Sequence, residues 1–211
     1  MELTPTTPRK PRARNRIWPP QTRAAATVAL GFTMLLYLVE LVDASVFHER
    51  LDQAGIRPRE VDGLDGVLFA PVLHAGWAHL SANTVPVLLF GFLAMAAGLR
   101  QWIAVTATIW VLGGLGVWLT ASTGSVTIGA SGLAFGWLTF LLFRGLFNRS
   151  ARQIGLAVVL LFFWGGVLWG VLPGQPGISW QGHLFGALAG ILAAWLAAKA
   201  TAPARPRTPA S

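Results

Sequence analysis

Thr127-Ile128-Gly129-Ala130-Ser131-Gly132-Leu133-Ala134-Phe135-Gly136 is the stretch on which the fold turns. Before it, the run Thr120–Thr127 is rich in hydroxyl side chains; after it, Leu133–Phe143 is a short hydrophobic segment. The chain passes here from a wet loop into an apolar helix. A serine at that passage, flanked by glycines, has an exposed hydroxyl and allows other backbone to come close. Such a seat suits a nucleophile, and small-residue runs in membrane helices equally serve packing. Partners elsewhere in the chain decide between the two.

Composition sets the medium. Of 211 residues, 54% are hydrophobic and 11% charged, and the mean hydropathy is +0.58. These values exclude an ordinary soluble domain and predict a single integral membrane domain. The net charge of +8 does not point to nucleic acid, because Lys and Arg lie almost entirely in short segments between apolar runs. With no cysteine, thiol nucleophiles, disulfides and zinc-thiolate sites are excluded. All eight carboxylates, Glu2 to Asp65, fall in the first third. Paired intramembrane aspartates are therefore unavailable later on, and chemistry beyond residue 65 must use Ser, His or Asn.

Taken in order, residues 1–23 read as a disordered basic cytoplasmic tail, too poor in apolar surface to fold. The run Ala24–Val39 is a first span and not a cleavable signal, since Glu40-Leu41-Val42-Asp43 follows in place of a small-residue cleavage site. A long mixed loop, 44–77, holds most of the acids. Further apolar segments at 78–99, 102–122, 128–147, 154–172 and 182–198 bring the expectation to six spans in a compact all-α bundle over 24–198. A cytoplasmic tail, 199–211, follows. The basic residues of both tails and of the loops near Arg100 and Arg144–Arg152 fall on one side, and only Arg50, Arg57 and Arg59 fall opposite. By the positive-inside rule both termini are cytoplasmic.

That topology puts the starts of the even-numbered spans in the outer leaflet, where three clusters gather: His74, His79 and Asn83; Ser131; and His183. Polar groups at membrane depth are costly and are functional candidates by default. His79 and Asn83 are i and i+4, on one helix face, and aim two donors at one point as an oxyanion requires. Span four carries Gly132-xxx-Gly136 and span six Gly182-xxx-Gly186-xxx-Gly190, stripes that permit close backbone approach. If the helices meet along them, Ser131 and His183 form a base-activated nucleophile, a dyad without an orienting acid. Phe135, one turn below the serine, is placed to pack on the imidazole. From Ser131 to the far end of its segment is about 20–25 Å of helix against an apolar core of about 30 Å. The serine starts submerged, and water must reach it from above.

These residues resemble the rhomboid intramembrane serine proteases over roughly residues 67–190. The pattern His-x4-His-x3-Asn is met by His74, His79 and Asn83; Gly-x-Ser-Gly by Gly129, Ser131 and Gly132; His-x2-Gly-x3-Gly by His183, Gly186 and Gly190. The resemblance implies Ser131 as nucleophile, His183 as general base, and an oxyanion hole from His79, Asn83 and the Ser131 N–H. It also implies a six-helix bundle with no cofactor that cleaves single-span or membrane-anchored proteins near the outer face, here of a bacterial plasma membrane. Two features depart from the pattern. No Trp-Arg pair is evident in loop one, where Asp65-Gly66 stands ahead of His74, and the ring four residues after the serine is Phe135 and not tyrosine.

Other readings compete. A non-catalytic rhomboid-like protein binding membrane clients would typically lack the serine or the histidine, and both are present. A transporter is disfavoured by the want of carboxylates in the later spans and of inverted repeats. His48-Glu49 opens like a zinc-protease motif, yet Asp52 stands where the second histidine ligand belongs, so no metal is implied. Trp77, Trp102 and Trp180 read as interfacial anchors, and Glu40 and Asp43 as solvated acids at the outer end of span one.

Overall fold

The computed structural model describes residues 15–201. Most of the basic N-terminal tail and nearly all of the C-terminal tail expected above lie outside the described residues. Among the described residues, seven α-helices account for the architecture. The long ones are α1 (Thr22–Val42), α3 (Gly76–Ala94), α4 (Leu99–Thr120), α5 (Ser131–Asn148), α6 (Ala151–Trp164) and α7 (Trp180–Ala200); α2 (Gly66–Phe69) is a single turn within the long loop. Among the described residues there are no strands, only an isolated antiparallel bridge between Ile56 and Thr127.

Each helix follows from an apolar run, and its ends have local causes. Before α4, Gly98 takes a positive φ of 108°, a conformation that costs glycine little. The end of α5 is set by Arg149 in the left-handed region. Ser179 caps α7, its Oγ accepting the Gly182 N–H at 3.2 Å, which satisfies one of the orphan donors of the first turn. The expected fifth span divides in two: α6 ends at Trp164, and a 3₁₀ segment, Gly165–Val171, carries the chain back toward the site.

The core sits around α5. Leu133, Ala134, Phe135, Trp137, Leu138, Phe140 and Leu141 are all buried, so this helix is covered on every side by its neighbours. Against α7 the approach is backbone to backbone. A Cβ on Gly186 would overlap the Gly132 carbonyl, and one on Gly190 the Gly136 carbonyl. Thr139 Oγ1 donates to Ala187 O at 2.8 Å across the same seam. On the α4 side, Trp137 Nε1 donates to Thr106 Oγ1 at 3.0 Å.

At three points the structure differs from expectation. Among the described residues, five helical segments are long and apolar enough to cross a membrane, Thr22–Phe47, Gly76–Ala97, Leu99–Thr120, Ala151–Val171 and Trp180–Ala200. The expected fourth span, α5, is not among them: it is 18 residues long and carries Ser131, Arg144 and Asn148. Its burial inside the bundle relieves it of the need to present an apolar face to lipid. The ordered chain also begins earlier than residue 24. Arg144 Nη2 and Gln153 Nε2 both donate to the Arg16 carbonyl, at 3.2 and 3.0 Å, and Trp18 meets Phe92 edge-on at 5.0 Å. Glu40 and Asp43, expected to be solvated, are each 4% exposed.

Loop one is clasped to α4. Trp110 Nε1 donates to Val67 O and Trp118 Nε1 to Glu60 O, both at 2.9 Å, while Arg59 Nη1 donates to Leu119 O at 3.1 Å. Several tryptophans thus pack or bond within the protein, and Trp102, expected as an interfacial anchor, stacks on buried Trp137 at 5.9 Å.

Candidate active site

Ser131 is the first residue of α5, and the α5–α7 seam sets it against His183 in the first turn of α7. Ser131 Oγ and His183 Nε2 are 2.9 Å apart. The other ring nitrogen, Nδ1, lies 3.0 Å from the Gly170 carbonyl. A carbonyl only accepts, so Nδ1 carries the hydrogen and Nε2 is left with its lone pair toward the serine hydroxyl. Below the pair, Phe135 stacks on the imidazole with ring centres 4.0 Å apart and planes 9° from parallel.

The loop ahead of the serine is held in place by backbone. Gly129 N donates to Ala70 O at 2.8 Å, and Ala130 N to His74 Nε2 at 3.3 Å. Gly129 has φ +117°, and a Cβ there would stand 2.8 Å from His79 Cε1 and 2.9 Å from its Nε2. Only glycine fits between that ring and the serine. His79 Nδ1 accepts the Ala75 N–H at 3.2 Å, which leaves the hydrogen on Nε2, the nitrogen beside Gly129. The first N–H groups of α5 have no intrahelical acceptor and carry the positive end of the helix dipole. A small oxygen anion near Ser131 would meet these donors together.

Asn83 lines the same cavity, but its Nδ2 donates to the His79 carbonyl one turn back, at 3.0 Å. One amide hydrogen is thus committed to its own helix. His74 is buried and packs edge-on to His79 with ring centres 5.1 Å apart. Burial, then the neighbouring His79, pushes the His74 imidazole down to about 4, with the Val72 backbone opposing weakly. It is neutral at physiological pH, as its acceptance of the Ala130 N–H requires. A cavity of about 860 Å³ opens onto Ser131, His183, His79 and Asn83 and continues past Ser125, Thr127 and Gln181. Among the described residues no group of three His, Cys, Asp or Glu is placed to hold a metal ion.

Residues 63–200 match the family model described as Rhomboid domain. The chain belongs to the rhomboid family. Similar proteins include uncharacterized protein Rv1337 of Mycobacterium tuberculosis, 54% identical over 185 residues that cover 84% of this chain and 77% of the relative. Uncharacterized protein ML1171 of Mycobacterium leprae is 52% identical over 175 residues, 79% of this chain and 69% of the relative. The Bacillus subtilis protein named "Putative rhomboid protease YdcA" is 31% identical over 134 residues, 61% of this chain and 65% of its own length. This rhomboid is therefore an integral membrane protein of a family of intramembrane proteases, with bacterial relatives.

In this rhomboid the structure brings Ser131, His183, His79, His74 and Phe135 to one place, together with the glycines at 129, 132, 186 and 190. Two participants escaped the sequence reading. Gly170 orients the imidazole through a backbone carbonyl, and Ala70 anchors the loop at Gly129 through another. Every residue has a carbonyl, so neither leaves a mark in the sequence. The one available signal was the cluster of glycines at 165, 166 and 170, which ends α6 before the expected span is complete.

Proposed function

We propose that this rhomboid is an intramembrane serine endopeptidase that cleaves single-span or membrane-anchored proteins near the outer membrane face by a Ser131–His183 dyad. The observation that carries the reading is the 2.9 Å contact between Ser131 Oγ and a His183 Nε2 left bare by the Gly170 carbonyl. On this reading α5, fourth in chain order, completes a set of six spans; it is about 27 Å long at 1.5 Å per residue, with its start below the outer boundary and both chain termini cytoplasmic.

In the first step His183 Nε2 takes the hydroxyl proton as Ser131 Oγ bonds to the scissile carbonyl carbon. The carbonyl oxygen becomes an oxyanion, stabilised by the Ser131 N–H, His79 Nε2–H and the uncommitted amide hydrogen of Asn83. Collapse breaks the C–N bond, and His183 gives its proton to the leaving amine. Water, descending through the polar upper part of the cavity, then loses a proton to His183 and attacks the acyl carbon. Ser131 leaves and recovers the proton. A substrate helix must unwind locally before its carbonyl is reachable, which favours small or helix-breaking residues near the cleavage point.

The test compares wild type and Ser131→Ala, purified in detergent, on a fluorescent single-span substrate. Turnover by wild type and none by Ser131→Ala, with equal thermal stability, is the expected result. Cleavage by both, or by neither across several substrates while the protein stays folded, favours a client-binding protein in place of a protease.

A further inference from the structure

Three tethers on the loop ahead of Ser131 run back to loop one. Thr127 exchanges both backbone hydrogen bonds with Ile56 at 3.0 Å, Gly129 N–H donates to Ala70 O at 2.8 Å, and Ala130 N–H donates to His74 Nε2 at 3.3 Å. The Ser131 N–H, one residue further on, takes its position from these bonds. Loop one is thus the template for the nucleophile's backbone. Yet the limb of loop one that carries Ile56 is irregular, with the short 3₁₀ turns Leu51–Ala54 and Val61–Gly63 on either side of it. Irregular backbone keeps one shape only where its polar groups find fixed partners.

Arg57 supplies such partners. It follows Ile56 directly, and its guanidinium reaches both limbs of the loop: Nη1 donates to Gln53 O at 3.1 Å and Nη2 to Asp62 O at 2.6 Å. Nε completes the set on Glu60 Oε2 at 3.1 Å, an ion pair whose side chains are 31% and 49% exposed and which adds little by itself. The two carbonyl bonds are the distinctive part, since a planar fork holds two acceptors at a fixed angle and an ammonium does not. The packing agrees. A Cβ on Gly63 would overlap the Arg57 carbonyl, and one on Gly55 the Thr127 carbonyl, so the loop is folded backbone on backbone around this residue and against the serine's loop. Arg57 itself does not line the cavity at Ser131, whereas Gln53 and Ile56 do.

We propose that Arg57 is a positioning residue for the reaction at Ser131. Its guanidinium fixes the shape of loop one, and loop one, through the Ile56–Thr127 pair, fixes the backbone that presents Gly129 and the Ser131 N–H. The word positioning rests on the protease reading; the brace itself rests on the hydrogen bonds alone. The far side of the loop is held independently by α4, where Trp118 O accepts the Arg59 N–H at 3.0 Å. Loss of Arg57 therefore loosens the limb facing the serine and leaves the loop attached.

The test uses the full-length protein in detergent. Arg57→Ala lowers kcat about tenfold with KM within about twofold of wild type, the pattern of a misplaced transition-state donor and not of a lost substrate contact. Arg50→Ala, which removes an exposed arginine from the same loop, stays within about twofold of wild type in both. Amide exchange over residues 127–130 quickens about tenfold in Arg57→Ala, while that of α5 and α7 is unchanged. Rescue distinguishes a brace from general damage. Residues that exchange both backbone bonds in an antiparallel pair have Cα atoms about 5.5 Å apart, within disulfide reach. In Arg57→Ala carrying Ile56→Cys and Thr127→Cys, oxidation restores kcat to within about threefold of the same cysteine pair with Arg57 intact, and reductant abolishes the gain. Unaltered kcat in Arg57→Ala, or a loss accompanied by unaltered exchange over 127–130, overturns the proposal. So does a loss that the disulfide leaves in place. If the wild type cuts nothing, the protease reading fails and exchange alone judges the brace: quickened in Arg57→Ala it stands, unchanged it falls.

Discussion

Gly170 offers His183 a backbone carbonyl where a three-membered serine site would offer a carboxylate. Its effect is to fix the tautomer and the ring plane without adding a buried negative charge. A Cβ at this position would stand 2.9 Å from His183 Nδ1 and 3.1 Å from Phe135 Cζ. On the proposed chemistry Gly170→Ala displaces the imidazole and lowers kcat by about 10- to 100-fold with little change in Tm, checked by peptide cleavage beside a thermal scan. Loss of the His79 donor is costlier at the transition state than in the ground state. We expect His79→Ala to lower kcat about 10²- to 10³-fold while peptide affinity is nearly kept. His74 supplies a pH dependence. Its imidazole falls from the ordinary 6.5 to about 4 on folding, so the native state favours the neutral ring. The associated stability, about 3 kcal/mol at most, is whole above pH 6.5 and is lost as pH falls through about 4. Thermal scans across that window in detergent should show a decline that His74→Gln flattens.

At the scale of elements, the α5–α7 seam controls whether serine and histidine meet at all. Gly186 and Gly190 admit no Cβ without overlapping α5 carbonyls. Gly186→Val should therefore lower Tm by several degrees and remove activity together, as the helices are forced apart. Gly155 on α6 is the matched control, since nothing lies within 4 Å of the Cβ it would gain. There Gly155→Ala should leave activity intact and hold or raise Tm, by up to about 1 kcal/mol of helix propensity. A result in which both substitutions are equally harmful would mean that the seam has no special role. The inner end of α5 is anchored differently, with buried Arg144 donating to the Arg16 carbonyl and lying 5.3 Å from the Phe140 ring centre.

For the whole molecule, orientation is the open quantity that an experiment can read directly. The chain has no cysteine, so single cysteines report sidedness without background. On the proposed orientation, with both termini cytoplasmic, Thr6→Cys and Ala204→Cys are shielded from an impermeant thiol reagent added to intact cells. Ser125→Cys and Gly177→Cys, in loops beside the proposed site, are labelled. The opposite pattern would place the site on the cytoplasmic face and overturn the outer-face reading.

Much of the fold and of the candidate site is legible in the sequence. Apolar run lengths announced a polytopic helical bundle, and the absence of acids after Asp65 left the later spans without a carboxylate to orient the histidine. The spacing of His79 and Asn83 put them on one face, and the glycine stripes marked the seam that brings Ser131 to His183. These features depend on side-chain type and local period, which sequence records. What only the tertiary structure decided depends on backbone and on distant neighbours. The orienting carbonyl of Gly170 and the anchoring one of Ala70 are invisible in a list of side chains. So is the fate of Glu40 and Asp43, which read as solvated acids and are each buried. Central burial of α5, which lets a short and polar-ended helix serve the bundle, likewise follows from the neighbours that surround it. Hydrophobic pattern specifies which faces must be covered; packing alone settles which carbonyls and carboxylates end up facing each other.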